Sequence, residues 1–241
     1  MTSMTELQIK IFADGADKKS MLELYHHPLV KGFTTNPSLM YKAGVKNYTA
    51  FARDILKVIQ GRPISFEVLS DDFSEMESQA LKMASWGENV YVKIPVINTQ
   101  GESSADLIHK LANAGVKQNI TALLTLEQVQ DVVSALVDCQ AANVSIFAGR
   151  IADTGVDPLP LMKQALELLR PYPQIELLWA SSRELLNIFQ ANEIGCHIIT
   201  VTPDIIKKLK MVGRNLQEFS VETVKTFYDD AAKAGYSVSD K

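Results

Sequence analysis

The sequence has few of the residues and patterns that mark several common functional classes. It contains only two cysteines, Cys139 and Cys196, no CxxC pair, and four histidines that lack HExxH spacing. A disulfide framework and a zinc site therefore have little support, and we interpret both cysteines as small buried apolar residues. The patterns GxGxxG, GxSxG and that of the P-loop are also absent. Their absence argues against a dinucleotide site, an α/β-hydrolase serine and an NTPase.

Long apolar runs and an excess of positive charge are missing as well. No segment approaches the roughly 18 consecutive apolar residues of a membrane span, and the polar start MTSMTELQ lacks the regions of a signal peptide. A formal net charge of −4 gives no general attraction to nucleic acid or to an anionic membrane. We expect a cytoplasmic protein with neither kind of partner, in which any anion-binding site is built locally.

Short β-type runs alternate with longer amphipathic stretches from one end of the chain to the other. With 241 residues, 46% hydrophobic and 22% charged, the chain has the composition of a globular protein and the length of an α/β barrel. Eight runs are candidate strands, each followed by a helical candidate. They are QIKIFAD, GFTTN, ISFEV, VYVKIPV, QNITALL, NVSIFAG, IELLWA and CHIITV.

Alternating strands and helices force the strands to be parallel, with the helices as crossovers. Such a sheet is either doubly wound or closed into a barrel. About eight repeats without a Gly-rich first turn or a change in composition favour closure, which also removes the sheet edges. The sequence therefore predicts an α/β fold, a single (β/α)₈ TIM barrel over residues 1–241. An additional C-terminal helix, from about Val221 to Ala234, lies in the tail of about 220–241.

Polar side chains interrupt the apolar candidate strands late in each run, where a barrel keeps its active site. Taken singly, each has a structural explanation: Asp14 could cap a helix, Asn36 could stabilise a turn, and Glu67 could pair with a lysine. Taken together, they predict a set of polar groups that converge inside the barrel. The set is Asp14, Asn36, Glu67, Lys93, Asn119, Thr121 and Ser145.

Lys93 is the most informative of these residues, because it lies in the apolar run VYVKIPV between Val92 and Ile94. Burial in apolar surroundings lowers the pKa of an amine, and a neutral amine is the form that attacks a carbonyl carbon. The alternative is a lysine at a strand end whose ammonium reaches solvent. The residues alone thus leave two interpretations, a nucleophile and a surface lysine.

Two helix starts, after the seventh and eighth strands, are candidate phosphate sites. Ser181 and Glu184 have the S-x-x-E spacing of a capping box, and Thr202 with Pro203 has the form of an N-cap and a first helical residue. Free N–H groups at a helix start bind phosphate. Arg183 lies beside the first of these helix starts, and Arg150 follows the sixth strand. Each arginine could bind the same phosphate or form a structural ion pair.

The motifs KIFADGAD, GFTTNPSLM, VYVKIPV, NITALLT, SIFAGRI and LWASSRE resemble the transaldolase family, in particular its short members, a group that also contains fructose 6-phosphate aldolases. The resemblance covers nearly the whole chain. It implies a Schiff-base lysine at Lys93, an acid/base at Asp14, and a pair that holds the catalytic water at Glu67 and Thr121. It also implies three residues that orient the dihydroxyacetone unit, namely Asn36, Asn119 and Ser145. Three further residues are implied to bind the substrate phosphate, namely Arg150, Ser181 and Arg183.

The reaction implied by this resemblance moves a three-carbon unit from a ketose phosphate (fructose 6-phosphate or sedoheptulose 7-phosphate) to an aldose phosphate, with no metal or other cofactor. Glu67 and Phe147 resemble transaldolase residues, whereas the aldolase branch carries glutamine and tyrosine there, so we expect a transaldolase of the pentose phosphate pathway. The alternatives are a fructose 6-phosphate aldolase that releases dihydroxyacetone and a non-catalytic sugar-phosphate-binding barrel.

Trp179 departs from the family motif and either narrows the mouth or packs in the core. The resemblance to the short members of the family, which often form ring-shaped oligomers, implies a homo-oligomer.

Overall fold

In the computed structural model, which describes residues 7–238, eight parallel strands close into a barrel. Each strand pairs with the next in the chain, and the last pairs with the first. The predicted (β/α)₈ barrel is therefore confirmed, with all eight candidate strands. The strands are β1 (Lys10–Asp14), β2 (Val30–Thr34), β3 (Ile64–Glu67), β4 (Val90–Pro95), β5 (Gln118–Leu123), β6 (Ala142–Ile146), β7 (Ile175–Trp179) and β8 (Ile198–Val201).

Helices follow the strands. They are α1 (Lys18–Tyr25), α2 (Pro37–Lys42), α3 (Tyr48–Leu56), α4 (Phe73–Ala84), α5 (Ala105–Asn113), α6 (Leu126–Ala135), α7 (Ala148–Asp153), α8 (Leu159–Leu169), α9 (Leu186–Glu193), α10 (Pro203–Lys207) and α11 (Leu216–Ala234). As predicted, Thr202 is the N-cap of α10 and Pro203 its first residue. No helix within residues 7–238 is long and apolar enough to cross a bilayer.

Strand alternation divides the apolar residues between two packed regions. On β4, the fully buried Val92 and Ile94 join the large core that includes residues of the surrounding helices. Inside the barrel, Phe12, Leu178 and Ile198 form a separate small cluster. Gly32 makes room for that cluster, because a Cβ at this position would lie 2.6 Å from the Phe12 ring.

The chain between β2 and β3, where the sequence predicts a single helical candidate, forms two helices, α2 and α3. The break occurs at Gly44, whose φ of 72° is a left-handed value that glycine reaches without steric cost. The chain then restarts as α3, where the Asn47 side chain accepts a hydrogen bond from Ala50 N. The break matters for the site because it turns α3 so that Tyr48 reaches the end of β3.

The C-terminal helix is present, but it begins earlier than predicted. The Asn215 side chain caps α11 by accepting from Gln217 N and Glu218 N, and Gly235 ends it with a left-handed φ of 67°. None of its residues is buried. Its apolar side chains are exposed instead, including Val224, Phe227 and Tyr228.

Candidate active site

One cavity at the carboxyl ends of the strands collects most of the predicted site residues. It has a volume of about 470 Å³ and opens at the barrel mouth. The inward-facing positions of the strands supply its polar wall, as the period-two alternation predicts. Ten of the eleven predicted residues line it: Asp14, Asn36, Glu67, Lys93, Asn119, Thr121, Ser145, Phe147, Arg150 and Ser181. Arg183 does not line this cavity.

The amine of Lys93 lies inside the barrel, so the interpretation as a solvent-reaching surface lysine is wrong. Only 6% of the residue is exposed. Its Nζ is 2.8 Å from Glu67 Oε2 and donates to the Thr35 carbonyl at 3.0 Å. The sequence predicted apolar surroundings for this amine. That expectation is only partly correct, because the side chains of Val92 and Ile94 face outward, away from the amine. An ammonium at this position is therefore compensated by a carboxylate and a backbone carbonyl.

Asp14 lies on β1 across the cavity and is held by a chain of hydroxyl groups. Thr34 Oγ1 donates to Asp14 Oδ1 at 2.8 Å and also contacts Thr200 Oγ1. Because the Thr34 proton is used on the carboxylate, Thr200 is the donor in the second bond. Burial raises the pKa of Asp14 above its ordinary value, although nearby Lys93 and the Thr34 bond act in the opposite direction. A carboxyl group of this kind exchanges its proton nearer to neutral pH than an exposed aspartate does.

A buried amide forms the floor of the cavity. Asn119 has no exposed surface; its Nδ2 donates to Ser65 Oγ at 3.0 Å, and its Oδ1 accepts from Ser145 Oγ at 2.6 Å. These bonds fix the orientation of the Asn119 side chain. The floor is therefore rigid and polar, which suits a ligand with several hydroxyl groups.

Thr121 carries a buried hydroxyl that has no hydrogen-bond partner within residues 7–238. The next residue, Ala122, adopts a left-handed φ of 67°, and the pairing of β5 with β6 shifts register between Ile120 and Leu123. Such a backbone conformation costs a non-glycine residue about 1 kcal/mol. A strained turn beside an unsatisfied hydroxyl is typical of a site that binds a ligand or an ordered water.

Asn36 combines a structural role with its position in the cavity. Its side-chain oxygen accepts from Leu39 N at 2.9 Å and caps α2, in which Pro37 is the first residue. The turn predicted as the structural alternative for Asn36 is therefore a helix cap, and it uses only the oxygen of this side chain. Its amide nitrogen has no hydrogen bond within the described part of the chain and remains available to a ligand.

The loop after β7 differs from the prediction. The capping box of Ser181 and Glu184 is absent, and α9 begins only at Leu186. Ser181 adopts a left-handed φ of 62°, so the chain cannot start a helix there. Asn187 caps this turn instead, since its Oδ1 accepts from Arg183 N at 2.9 Å and from Glu184 N at 3.1 Å.

The two predicted arginines have different environments. Arg183 forms a two-point ion pair with Asp153, with Nε 2.9 Å from Oδ1 and Nη2 2.5 Å from Oδ2, and its hydrogen bonds lower the pKa of Asp153. Arg150 makes no ion pair within residues 7–238, and its guanidinium lies 5.4 Å from the centre of the Phe147 ring. Arg150 is thus the guanidinium that is free to bind an anion at the mouth.

Several residues of the site were not predicted from the sequence. Ser65 lies two positions before Glu67, and Thr200 lies on β8, so period-two alternation could have identified both as inward-facing. Lys42, at the end of α2, also lines the cavity and has no ion pair among the described residues. No strand pattern points to it.

Trp179, by contrast, lies away from the mouth. It is 1% exposed and packs in the core outside the barrel, and its Nε1 has no hydrogen-bond partner among the described residues. The packing explanation for this departure from the family motif is therefore the correct one.

Gly149 allows α7 to approach the loop after β7. A Cβ at Gly149 would lie 1.6 Å from the Ser181 carbonyl oxygen. Because Ser181 already has a strained backbone, we expect Gly149→Ala to lower the free energy of unfolding by about 3 kcal/mol. Urea unfolding measures the change. Gly61→Ala is the matched control, since its Cβ would meet only Tyr25 Oη at 3.9 Å; equal stability of the two variants would contradict the prediction.

An amine and two carboxylates inside the mouth of a closed parallel barrel define an aldolase-type barrel enzyme. Sequence comparison agrees: the family model "Transaldolase/Fructose-6-phosphate aldolase" matches residues 11–239. The chain belongs to this family.

Curated relatives agree with this assignment, and a solved structure shares the fold. A protein of Thermoanaerobacter sp. named "Probable transaldolase" is 30% identical over 231 residues, 95% of this chain and 100% of its own length. One of Nitrosopumilus maritimus with the same name is 32% identical over 83% of this chain and 87% of its own. Dihydrodipicolinate synthase from Rhodopseudomonas palustris superposes with a TM-score of 0.57 at 12% identity, over 92% of this chain and 79% of its own. This last likeness concerns the fold alone.

Proposed function

We propose that the chain is a transaldolase that transfers a dihydroxyacetone unit between sugar phosphates through a Schiff base at Lys93. The observation that carries the proposal is the position of the Lys93 amine, inside the cavity and 2.8 Å from the Glu67 carboxylate. A carboxylate at this distance takes a proton from the ammonium, and the free amine then attacks the C2 carbonyl of a ketose. The bond to the Thr35 carbonyl keeps the nitrogen in place for this attack.

Dehydration of the carbinolamine requires a proton on its departing hydroxyl group. Glu67, protonated in the first step, returns that proton, water leaves, and an iminium ion forms. The unpartnered hydroxyl of Thr121 supports a role for Thr121, together with Glu67, in holding this water. The iminium draws electrons as a Lewis acid would in other aldolases.

Carbon–carbon cleavage follows from the electron demand of the iminium ion. Asp14 removes the C4 hydroxyl proton, the C3–C4 bond breaks, and its electron pair moves toward the iminium nitrogen to give an enamine. The aldose phosphate leaves, and the enamine then attacks the aldehyde of a second aldose phosphate. The raised pKa of Asp14 supports this role, because the same group must later return the proton. Asn119, Ser145 and the free amide nitrogen of Asn36 are suited to bind the hydroxyl groups of the three-carbon unit.

Transfer rather than hydrolysis requires that water does not protonate the enamine. Phe147 lines the cavity without offering a hydroxyl group, and no tyrosine lines the cavity within residues 7–238. The hydroxyl of nearby Tyr48 is already bonded to the Glu67 backbone. These features favour a transaldolase over a fructose 6-phosphate aldolase.

The substrate phosphate needs cationic groups at the mouth. Arg150 and Lys42 are without ion pairs among the described residues and line the same cavity as Ser181. We propose that they bind the phosphate, and that Arg183 joins them when its ion pair with Asp153 opens.

The assay that tests the function compares two reactions of the purified protein with fructose 6-phosphate. With erythrose 4-phosphate present, we expect sedoheptulose 7-phosphate and glyceraldehyde 3-phosphate; without it, turnover should stop after one equivalent of glyceraldehyde 3-phosphate. Sustained release of free dihydroxyacetone without acceptor would identify the aldolase instead. Binding without either reaction would identify a non-catalytic barrel.

We further propose that the chain forms a homo-oligomer through α11. A helix with no buried residue and a series of exposed apolar side chains is marginal on its own in water. A second copy offers an apolar cavity of about 310 Å³ beside the mouth, lined by residues such as Met21, Leu24 and Leu39.

Charge on the apolar face of α11 should therefore change the assembly. We expect the double variant Val224→Glu with Phe227→Glu to sediment as a monomer while the wild type sediments as an oligomer. Lys225→Glu, on the same helix, is the control and should leave the oligomer intact. A monomeric wild type would contradict the proposal.

A further inference from the structure

We propose that Tyr48 is a positioning residue. Its phenol oxygen takes the place of a backbone hydrogen bond that is missing between β2 and β3 at Glu67, and this leaves the Thr35 carbonyl free for the Lys93 amine. Tyr48 comes from α3 and belongs to none of the strands. The inference rests on the proposed Schiff-base function, because it concerns the geometry of the amine and its carboxylate.

The barrel is incomplete where β2 meets β3. These strands pair only at Phe33 with Ile64 and at Thr34 with Ser65, and the last backbone bond runs from Thr35 N to the Ser65 carbonyl at 3.1 Å. In a parallel ladder, the next bond would join Glu67 N–H to the Thr35 carbonyl. The chain turns into α2 after Thr35, and Glu67 N bonds elsewhere.

The Tyr48 hydroxyl takes the place of the missing hydrogen bond between the two strands. Its Oη accepts from Glu67 N at 2.8 Å and donates to the Glu67 carbonyl at 2.8 Å. The ring is fixed by an edge contact with Phe66, at 6.3 Å between ring centres, and by a tilted contact with Trp86 at 6.5 Å. Burial raises the pKa of Tyr48, so the phenol stays protonated and keeps its donor. One hydroxyl group therefore satisfies both backbone groups that β2 leaves unpaired.

The freed carbonyl has a specific use. Lys93 Nζ donates to the Thr35 carbonyl at 3.0 Å and lies 2.8 Å from Glu67 Oε2. The two partners of the Lys93 amine, the Thr35 carbonyl and the Glu67 carboxylate, therefore both lie where the pairing of β2 with β3 is interrupted. Without the Tyr48 hydroxyl, Glu67 N–H loses its partner, and the ladder geometry offers it the Thr35 carbonyl as a replacement. That bond would compete directly with Lys93.

Tyr48→Phe tests the proposal, because it removes the hydroxyl and keeps the ring against Phe66 and Trp86. Tyr91→Phe is the matched control: Tyr91 lies two residues before Lys93 on β4, and its phenol has no hydrogen bond within residues 7–238. We expect Tyr48→Phe to lower kcat about tenfold and to change the KM for fructose 6-phosphate less than twofold. The control should match the wild type in both constants. Each assay is run below the melting temperature measured for that variant.

A second readout does not depend on turnover. Acetic anhydride labels free amines, and mass spectrometry gives the labelled fraction of Lys93 as a function of reagent concentration at one pH. We expect Lys93 to be labelled at a lower reagent concentration in Tyr48→Phe, because its amine loses the Thr35 carbonyl as a hydrogen-bond partner, and to match the wild type in Tyr91→Phe. A Tyr48→Phe protein with wild-type kcat and a wild-type labelling profile would overturn the proposal. A wild type without turnover would overturn only the proposed function, since the labelling profiles would still decide the role of Tyr48.

Discussion

Replacing Lys93 with methionine is expected to reduce transaldolase turnover by at least about 10⁴-fold, because the other amine that lines the cavity, that of Lys42, lies on α2 and lacks the Glu67 partner that Lys93 has. Methionine retains most of the volume of the side chain but removes the amine. Steady-state assay with fructose 6-phosphate and erythrose 4-phosphate measures the loss. Turnover within tenfold of the wild type would contradict the account.

The Lys93→Met variant also leaves the Glu67 carboxylate without its cation. Breaking such a buried pair costs about 3–5 kcal/mol of stability, so a loss of folded protein must be separated from a loss of chemistry. Lys93→Arg provides this control, since arginine keeps the positive charge but does not act as a nucleophile at neutral pH. We expect Lys93→Arg to be inactive and more stable than Lys93→Met. Thermal unfolding of the two variants compares them.

Asp14→Asn is expected to lower kcat by about 10²–10³-fold while the Schiff base still forms. In the proposed mechanism, Asp14 acts after the iminium ion has formed, in the transfer of the hydroxyl proton, whereas Lys93 and Glu67 act before it. Borohydride should therefore still trap an adduct in Asp14→Asn, now carrying the uncleaved ketose phosphate. Loss of trapping together with turnover would place Asp14 in imine formation instead.

The same substitution should make the protein more stable at neutral pH. Burial raises the pKa of Asp14, so the folded state binds the proton more tightly than the unfolded state. Stability is then lost as pH rises from the ordinary aspartate value of about 3.9 through the raised value. Asparagine has no such loss, so the melting temperature of Asp14→Asn should exceed that of the wild type at pH 7 and match it in acid. An opposite order at pH 7 would show that carboxylate contacts outweigh desolvation.

The strands and the inward-facing residues could be predicted because both follow from periodicity. Alternation along β4 places Lys93 inside once Val92 and Ile94 face the helices, and the parallel order brings strand ends such as Asp14 and Glu67 to one mouth. Helix N-caps could also be predicted where a helix begins directly after a strand, as at Thr202. These features depend on short stretches of sequence.

The wrong or missing predictions concern backbone conformations and contacts that residue spacing does not show. Glu184 and Ser181 have the spacing of a capping box, but the left-handed backbone of Ser181 and the side chain of Asn187 give the loop another shape. Arg183 is consequently directed to Asp153. Tyr48 was missed because it acts on a backbone nineteen residues further along the chain. No periodicity within α3 indicates that contact.

The most direct test of the central claim is the mass of the peptide that carries Lys93 after borohydride reduction with fructose 6-phosphate. A reduced adduct blocks trypsin at this lysine, so we expect one peptide from Met83 to Lys110 that carries a three-carbon addition. Unmodified Lys93 in an enzyme that turns over substrate, or an adduct on another lysine, would contradict the account.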